Sequence, residues 1–157
     1  MSNTPIGKHF TLGEVTHSDT AIRLGIQNEL PPELLKNAIA LAINVLDLIR
    51  EHFGIPFSPN SWLRTEPLER AINQKAFESW CVKHSKPIDE DSWADYFSRK
   101  SHPLAEAADI TIPGVKNEDI WHWVQKNLEF DQCILESSWV HVSYRAGNNR
   151  KQSLIIK

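Results

Sequence analysis

The stretch PPELLKNAIALAINVLDLIREHFG, residues 31–54, decides the first half of the fold. Its apolar positions Leu34, Leu35, Ala38, Ile39, Ala42, Val45, Leu46, Ile49 and Phe53 recur at steps of three and four residues. That period predicts an amphipathic helix of about five or six turns with one buried stripe. Gly54 supplies a helix stop. Ile55-Pro56-Phe57 then reads as a short edge strand, because proline cannot donate to a central ladder.

Working outward, Phe10 to Gly25 mixes short apolar steps with polar turns and reads as irregular chain with one short helix near Ser18. Thr65, Glu66 and Pro67 suit the start of a second helix that reaches the Phe77 to Val82 region. Asp89-Glu90-Asp91 opens a third, carrying Trp93, Tyr96 and Phe97, and Asn117 caps a fourth that runs to about Leu128. Ala107 to Ile112, Cys133 to Leu135, Trp139 to Tyr144 and Leu154 to Ile156 read as strands, with Arg145 to Lys151 as a hairpin loop. Helices precede strands, so the expected class is α+β: N-terminal helices packed on a small antiparallel sheet, in one domain over residues 1–157.

Composition narrows the function. The formal charge is −3, and 24% of residues are charged. There is no polybasic arm and no stripe of alternating aromatic and basic residues, which argues against a nucleic-acid partner. No segment approaches the roughly 18 apolar residues of a membrane span. The first residues lack the pattern of a secretory signal, so synthesis in the cytoplasm without a signal peptide is expected. Cys81 and Cys133 read as free buried thiols, with a single bridge as the alternative.

The chemistry starts from two histidines. His102 and Asp109 lie seven residues apart, but so do His84 and Asp91, and His122 and Glu129, so the spacing alone says nothing. The surroundings of the first pair differ. Ser101-His102-Pro103-Leu104 reads as a turn, Ala105, Ala107 and Ala108 permit close backbone approach, and Asp109 opens an apolar run. A carboxylate at the start of a buried strand needs a partner: a metal ion, a lysine or a backbone amide. In the stretch ESSWVHVSY, residues 136–144, strand alternation puts Trp139, His141 and Ser143 on one face and the core valines on the other. His141 is then either a rigidly held metal ligand or a half-exposed surface histidine.

Taken in order, Ser61-Trp62-Leu63-Arg64, His102 with Asp109, Asp131-Gln132 with Glu136, and Trp139-Val140-His141-Val142-Ser143 resemble the zinc D-alanyl-D-alanine carboxypeptidases and the related phage peptidoglycan endolysins. Phe10-Thr11-Leu12 with Glu14, Ser18 with Thr20-Ala21, and Gly25-Ile26 with Asn28 are similar to the phage and bacterial branch of that family. The resemblance spans about Phe10 to Arg150 and implies a hedgehog/DD-peptidase-like fold. It implies His102, Asp109 and His141 as zinc ligands, with a fourth tetrahedral place for a water whose pKa zinc lowers toward about 7. It implies Glu136 as general base, and Arg64 as a cation for a substrate carboxylate or a developing oxyanion. Trp139 would wall the cleft, and Ser61 would hold the turn that aims Arg64. The expected activity is hydrolysis of a peptide bond in the peptidoglycan stem by a monomer, at the cell wall after release or as part of a virion. The alternative is a non-catalytic wall-binding or phage structural module that keeps the fold.

The chain departs from the family pattern at several places. Ser101 adjoins His102, Ala105 stands where the family has glycine, Leu63 replaces a tyrosine, and Glu136 lies five residues before His141. The segment between Arg64 and His102 is longer than in compact relatives, and the extra material, about 74–100, reads as a helical insertion. It either packs its own aromatics or caps the cleft. His9, His17, His52 and His84 read as structural or surface residues, Glu106 as solvated, and Trp121 and Trp123 as residues that pack or sit half exposed rather than bind sugar.

Overall fold

The computed structural model describes residues 2–156. A two-residue ladder joins β1 (Pro5–Ile6) to β2 (Phe10–Thr11), and it runs into α1 (Leu12–Thr16) and α2 (Asp19–Leu24). Two short helices therefore stand where the sequence suggests one. Each has its own cap: Thr11 and Glu14 form a reciprocal capping box, and the Ser18 hydroxyl accepts from the Ala21 N–H.

The long helix begins with a 3₁₀ turn, Pro32–Leu34, and continues as α3 (Leu35–Leu41), a π turn (Ala42–Leu46) and α4 (Asp47–Phe53), ending at left-handed Gly54. Its buried stripe is Ala38, Leu41, Ala42, Val45, Leu46 and Ile49. Leu35, expected inside, is 39% exposed. Asp47 sits on the buried side just after the π turn, and its carboxylate accepts from the N–H groups of Lys8 and His9 at 2.8 and 3.1 Å. Gly7 makes this approach possible, because a Cβ there would meet Asp47 Oδ2 at 2.5 Å. Ile55-Pro56-Phe57 forms no strand. The chain there runs on to Ser61, which makes an isolated bridge with Asp109, while Phe57 fills the core.

α5 (Glu66–Lys83) and α6 (Glu90–Ser98) follow, the second capped by Asp89. They enclose a small core of their own: Phe77, Cys81, Trp93 and Tyr96. A 3₁₀ turn (His102–Leu104), β3 (Ala107–Ile110), α7 (Asn117–Asn127), β4 (Gln132–Leu135), β5 (Val140–Ser143) and β6 (Gln152–Ile155) complete the chain. Lys116 occupies the cap position of α7, with Asn117 the first helical residue.

The class is α+β, but the sheet is mixed. Its order is β3-β5-β4-β6, with antiparallel pairs on both sides of β5 and a parallel pair between β4 and β6. The expected hairpin at Arg145 to Lys151 cannot form, because both edges of β5 are already paired. The chain instead passes over the start of β4 to reach its open edge. Buried Asp131 fastens that crossing, accepting from Arg150 Nε and Nη2, both at 2.9 Å. One face of the sheet packs with the long helix and α7 around Trp62, Leu63, Ile110, Ile120, Val140 and Val142. No helix among the described residues is long and apolar enough to cross a membrane.

Candidate metal centre

The antiparallel register sets Asp109 of β3 directly opposite His141 of β5. Directly opposed residues on one sheet face are neighbours, and here His141 Nδ1 lies 3.1 Å from Asp109 Oδ1. The third group arrives from the turn before β3. Pro103 suits the first turn of the 3₁₀ segment, and Ala105 then takes a left-handed conformation, φ 58°, which reverses the chain into the strand. This is the position where the resemblance places a glycine: the positive φ is adopted, with an alanine. The reversal brings His102 Nε2 to 3.4 Å from the same Asp109 oxygen.

His102, Asp109 and His141 are the one group of potential metal donors found among the described residues, with ligand atoms all within 4.8 Å of one another. Their exposures are 6%, 5% and 9%, so His141 is a buried side chain and not a surface histidine. Tetrahedral coordination at zinc–nitrogen and zinc–oxygen lengths near 2.1 Å requires neighbouring ligand atoms about 3.4 Å apart. The two separations from Asp109 Oδ1, 3.1 and 3.4 Å, match that edge. The donor set, two imidazoles and a carboxylate, also suits zinc.

The surrounding hydrogen bonds prepare these groups. His102 Nδ1 lies 2.7 Å from the carbonyl oxygen of Trp62. A carbonyl only accepts, so Nδ1 carries the proton and the Nε2 lone pair is left facing Asp109. Burial holds the His102 pKa below its ordinary value, which keeps the ring neutral. Asp109 is pushed up by burial, but His102 and His141 outweigh this, and its carboxyl lies well below the usual carboxylate range. Its backbone is pinned on the strand edge: its N–H donates to the Ser61 carbonyl at 2.8 Å, and its carbonyl accepts from Asn60 at 2.7 Å.

Arg64 lies against the ligand set. Its Nη2 donates to Asp109 Oδ2 at 2.8 Å, its Nε donates to Ser61 Oγ at 2.9 Å, and its Nη1 lies 3.6 Å from Glu69 Oε2. The guanidinium is thus held on three sides by the protein, and it orients Asp109 so that Oδ1 faces the histidines. Its backbone N–H is also tied to the His102 carbonyl at 3.2 Å. The Ser61 hydroxyl accepts from Arg64 Nε, while its backbone bridges to Asp109.

Glu69 is a member of the site that the sequence did not signal. It is 1% exposed, Asn73 donates to its Oε1 at 2.6 Å, and its Oε2 has no hydrogen-bond partner. In the sequence it is one of 20 acidic residues, set in a run of helix formers with no local feature to separate it. Only the fold places it beside Arg64.

The three donors open into a cleft of about 500 Å³. Arg64, Glu136 and Trp139 line it, as do Arg99 and Lys100 from the end of α6. Burial, and next the charge of Asp109, push the Glu136 carboxyl above its ordinary value. Glu136 makes no ion pair among the described residues, and its N–H donates to the Trp139 carbonyl at 2.9 Å, closing the turn between β4 and β5. Glu106, expected in solvent, lies half-buried with Oε1 unpaired by a hydrogen bond and 3.5 Å from Arg145 Nε. It does not line the cleft. His9, His17, His52 and His84 all lie away from the metal donors, and both cysteines are free and buried. Comparison with protein-family models, with curated proteins and with solved structures finds no match for this chain.

Proposed function

We propose that this chain is a zinc peptidase that hydrolyses a peptide bond in the peptidoglycan stem, and that its α+β architecture is of the hedgehog/DD-peptidase type. The observation that carries the reading is the convergence of His102, Asp109 and His141 at the floor of a cleft that also holds an unpaired carboxylate, Glu136. Zinc bound there would polarise the scissile carbonyl and acidify water. The residues of the chain do the rest. His102 is presented by the Trp62 carbonyl, and Asp109 is aimed by Arg64. Glu136, with its raised pKa, takes a proton from water and returns it to the leaving amine. Trp139 walls the cleft beside it.

The order of motifs along the chain supports the substrate class, because it is the order seen in the peptidoglycan peptidases. The test is digestion of purified peptidoglycan by zinc-loaded protein, read by mass spectrometry of the released muropeptides. New amine termini that disappear with a chelator are expected. Glu136→Gln is expected to keep one zinc per chain while turnover falls by about 10²–10⁴. Zinc retained by the wild type without any release of amines would assign the chain to a wall-binding or structural role.

A further inference from the structure

Arg64 matches the arginine that the resemblance offers to a substrate carboxylate, yet its three nitrogens face Ser61, Asp109 and Glu69. With Nε and Nη2 hydrogen-bonded to the protein and Nη1 facing the buried Glu69 carboxylate, the guanidinium is turned toward the protein rather than offered as a free fork. The cleft nevertheless holds two more cations, both from the segment that lengthens the chain between Arg64 and His102. Arg99 is partly neutralised, with Nε 3.2 Å from Asp95 Oδ1. Lys100 has no carboxylate partner among the described residues, and its ammonium rests 4.2 Å from the centre of the Tyr96 ring. Lys100 is half-buried and is separated from the ligand His102 only by Ser101. Its backbone is fixed, because its N–H closes the end of α6 on the Phe97 carbonyl at 3.1 Å.

We propose that Lys100 is the anion-recognition residue of the cleft, and that the substrate is a peptide carrying a free carboxylate seated against it. This rests on the peptidase reading for the identity of the peptide, and on the cleft alone for the carboxylate. The contact of its ammonium with the Tyr96 ring orders the long lysine side chain at the edge of the cleft, which lowers the entropy lost on pairing with a ligand. The aromatic core of α5 and α6 thereby acquires a role: it anchors the platform that sets Lys100 at the cleft.

The probe is a synthetic stem tetrapeptide in two forms, one with free carboxylates and one with every carboxyl amidated. Binding is measured by calorimetry on metal-free full-length protein at low salt, so that no carboxylate can reach zinc. Wild type is expected to prefer the free form by about tenfold, the scale of one charge-assisted hydrogen bond. Lys100→Gln should bring the two affinities together, while Arg99→Gln should keep most of the preference. A ratio unchanged in Lys100→Gln, or no binding of either form by wild type, overturns the proposal. Because this readout needs no turnover, a preference that depends on Lys100 stands even in a protein that releases no amines. Turnover without the preference would uphold the peptidase and remove Lys100 from recognition.

Discussion

Replacing His141 by alanine removes one of three donors from a site whose ligand edges already match a tetrahedral ion, and the consequence is calculable. An ion that binds only the folded chain stabilises it by about 2.7 kcal/mol when its free concentration is one hundred times the dissociation constant. For a domain in the 150–250-residue class, each kcal/mol moves the midpoint by roughly 2–4 °C. Wild type should therefore melt about 5–11 °C higher in zinc than in chelator. In His141→Ala the metal-free protein loses the 3.1 Å contact with Asp109 Oδ1 and should itself be about 1–3 kcal/mol less stable. That cost is present with and without zinc, so it cancels in the difference between the two scans. The zinc-dependent rise should shrink to below about 2 °C, because His102 and Asp109 alone offer only two donors. Differential scanning calorimetry, paired with metal analysis of the dialysed protein, makes the comparison. Equal rises in the two proteins, or a wild type that holds no zinc, would refute the ligand set.

Three more expectations follow from the same geometry. Arg64→Ala frees Asp109 to turn away from the histidines and should weaken zinc affinity about 10–100-fold in a competition with a fluorescent chelator; unchanged affinity would mean that Asp109 is held by its backbone alone. Ala105 is buried at φ 58°. Relief of the left-handed penalty roughly offsets the lost methyl group and the added chain freedom, so Ala105→Gly should be neutral to within about 1 kcal/mol. Ala105→Val, with a branched side chain at the same φ, should cost more than about 2 kcal/mol by urea unfolding; a tolerated valine would show that the turn can be remade. The Arg150 guanidinium holds the Asp131 carboxyl below its ordinary value, so the pair stabilises the fold above the unfolded aspartate value near 4, and that contribution is lost as pH falls through the lower folded value. With Arg150 half in solvent, Asp131→Asn should cost about 1–2 kcal/mol at pH 7 and progressively less below pH 4; a difference that grows toward acid would reverse the assignment.

Local chemistry makes some of this protein legible in one dimension. The three- and four-residue steps of Ala38 to Ile49 write a helix, because one stripe must face apolar surface. The alternation around Trp139 to Ser143 writes a strand, because successive side chains leave opposite faces. The donors could be named because the resemblance implies their order, and Ala105 stood out because the resemblance places a glycine there. What the chain alone could not decide depends on groups far apart in sequence. β6 joins β4 rather than β5 because β5 has no edge left, a constraint that exists only once three strands have paired. Glu69 enters the site, and Arg64 turns inward onto Asp109, because the chain leading into α5 is tied to the turn before β3 through the Arg64 N–H and the His102 carbonyl. Burial, which lowers the His102 pKa and sets all three donors out of solvent, belongs to the packed molecule and to no segment of it.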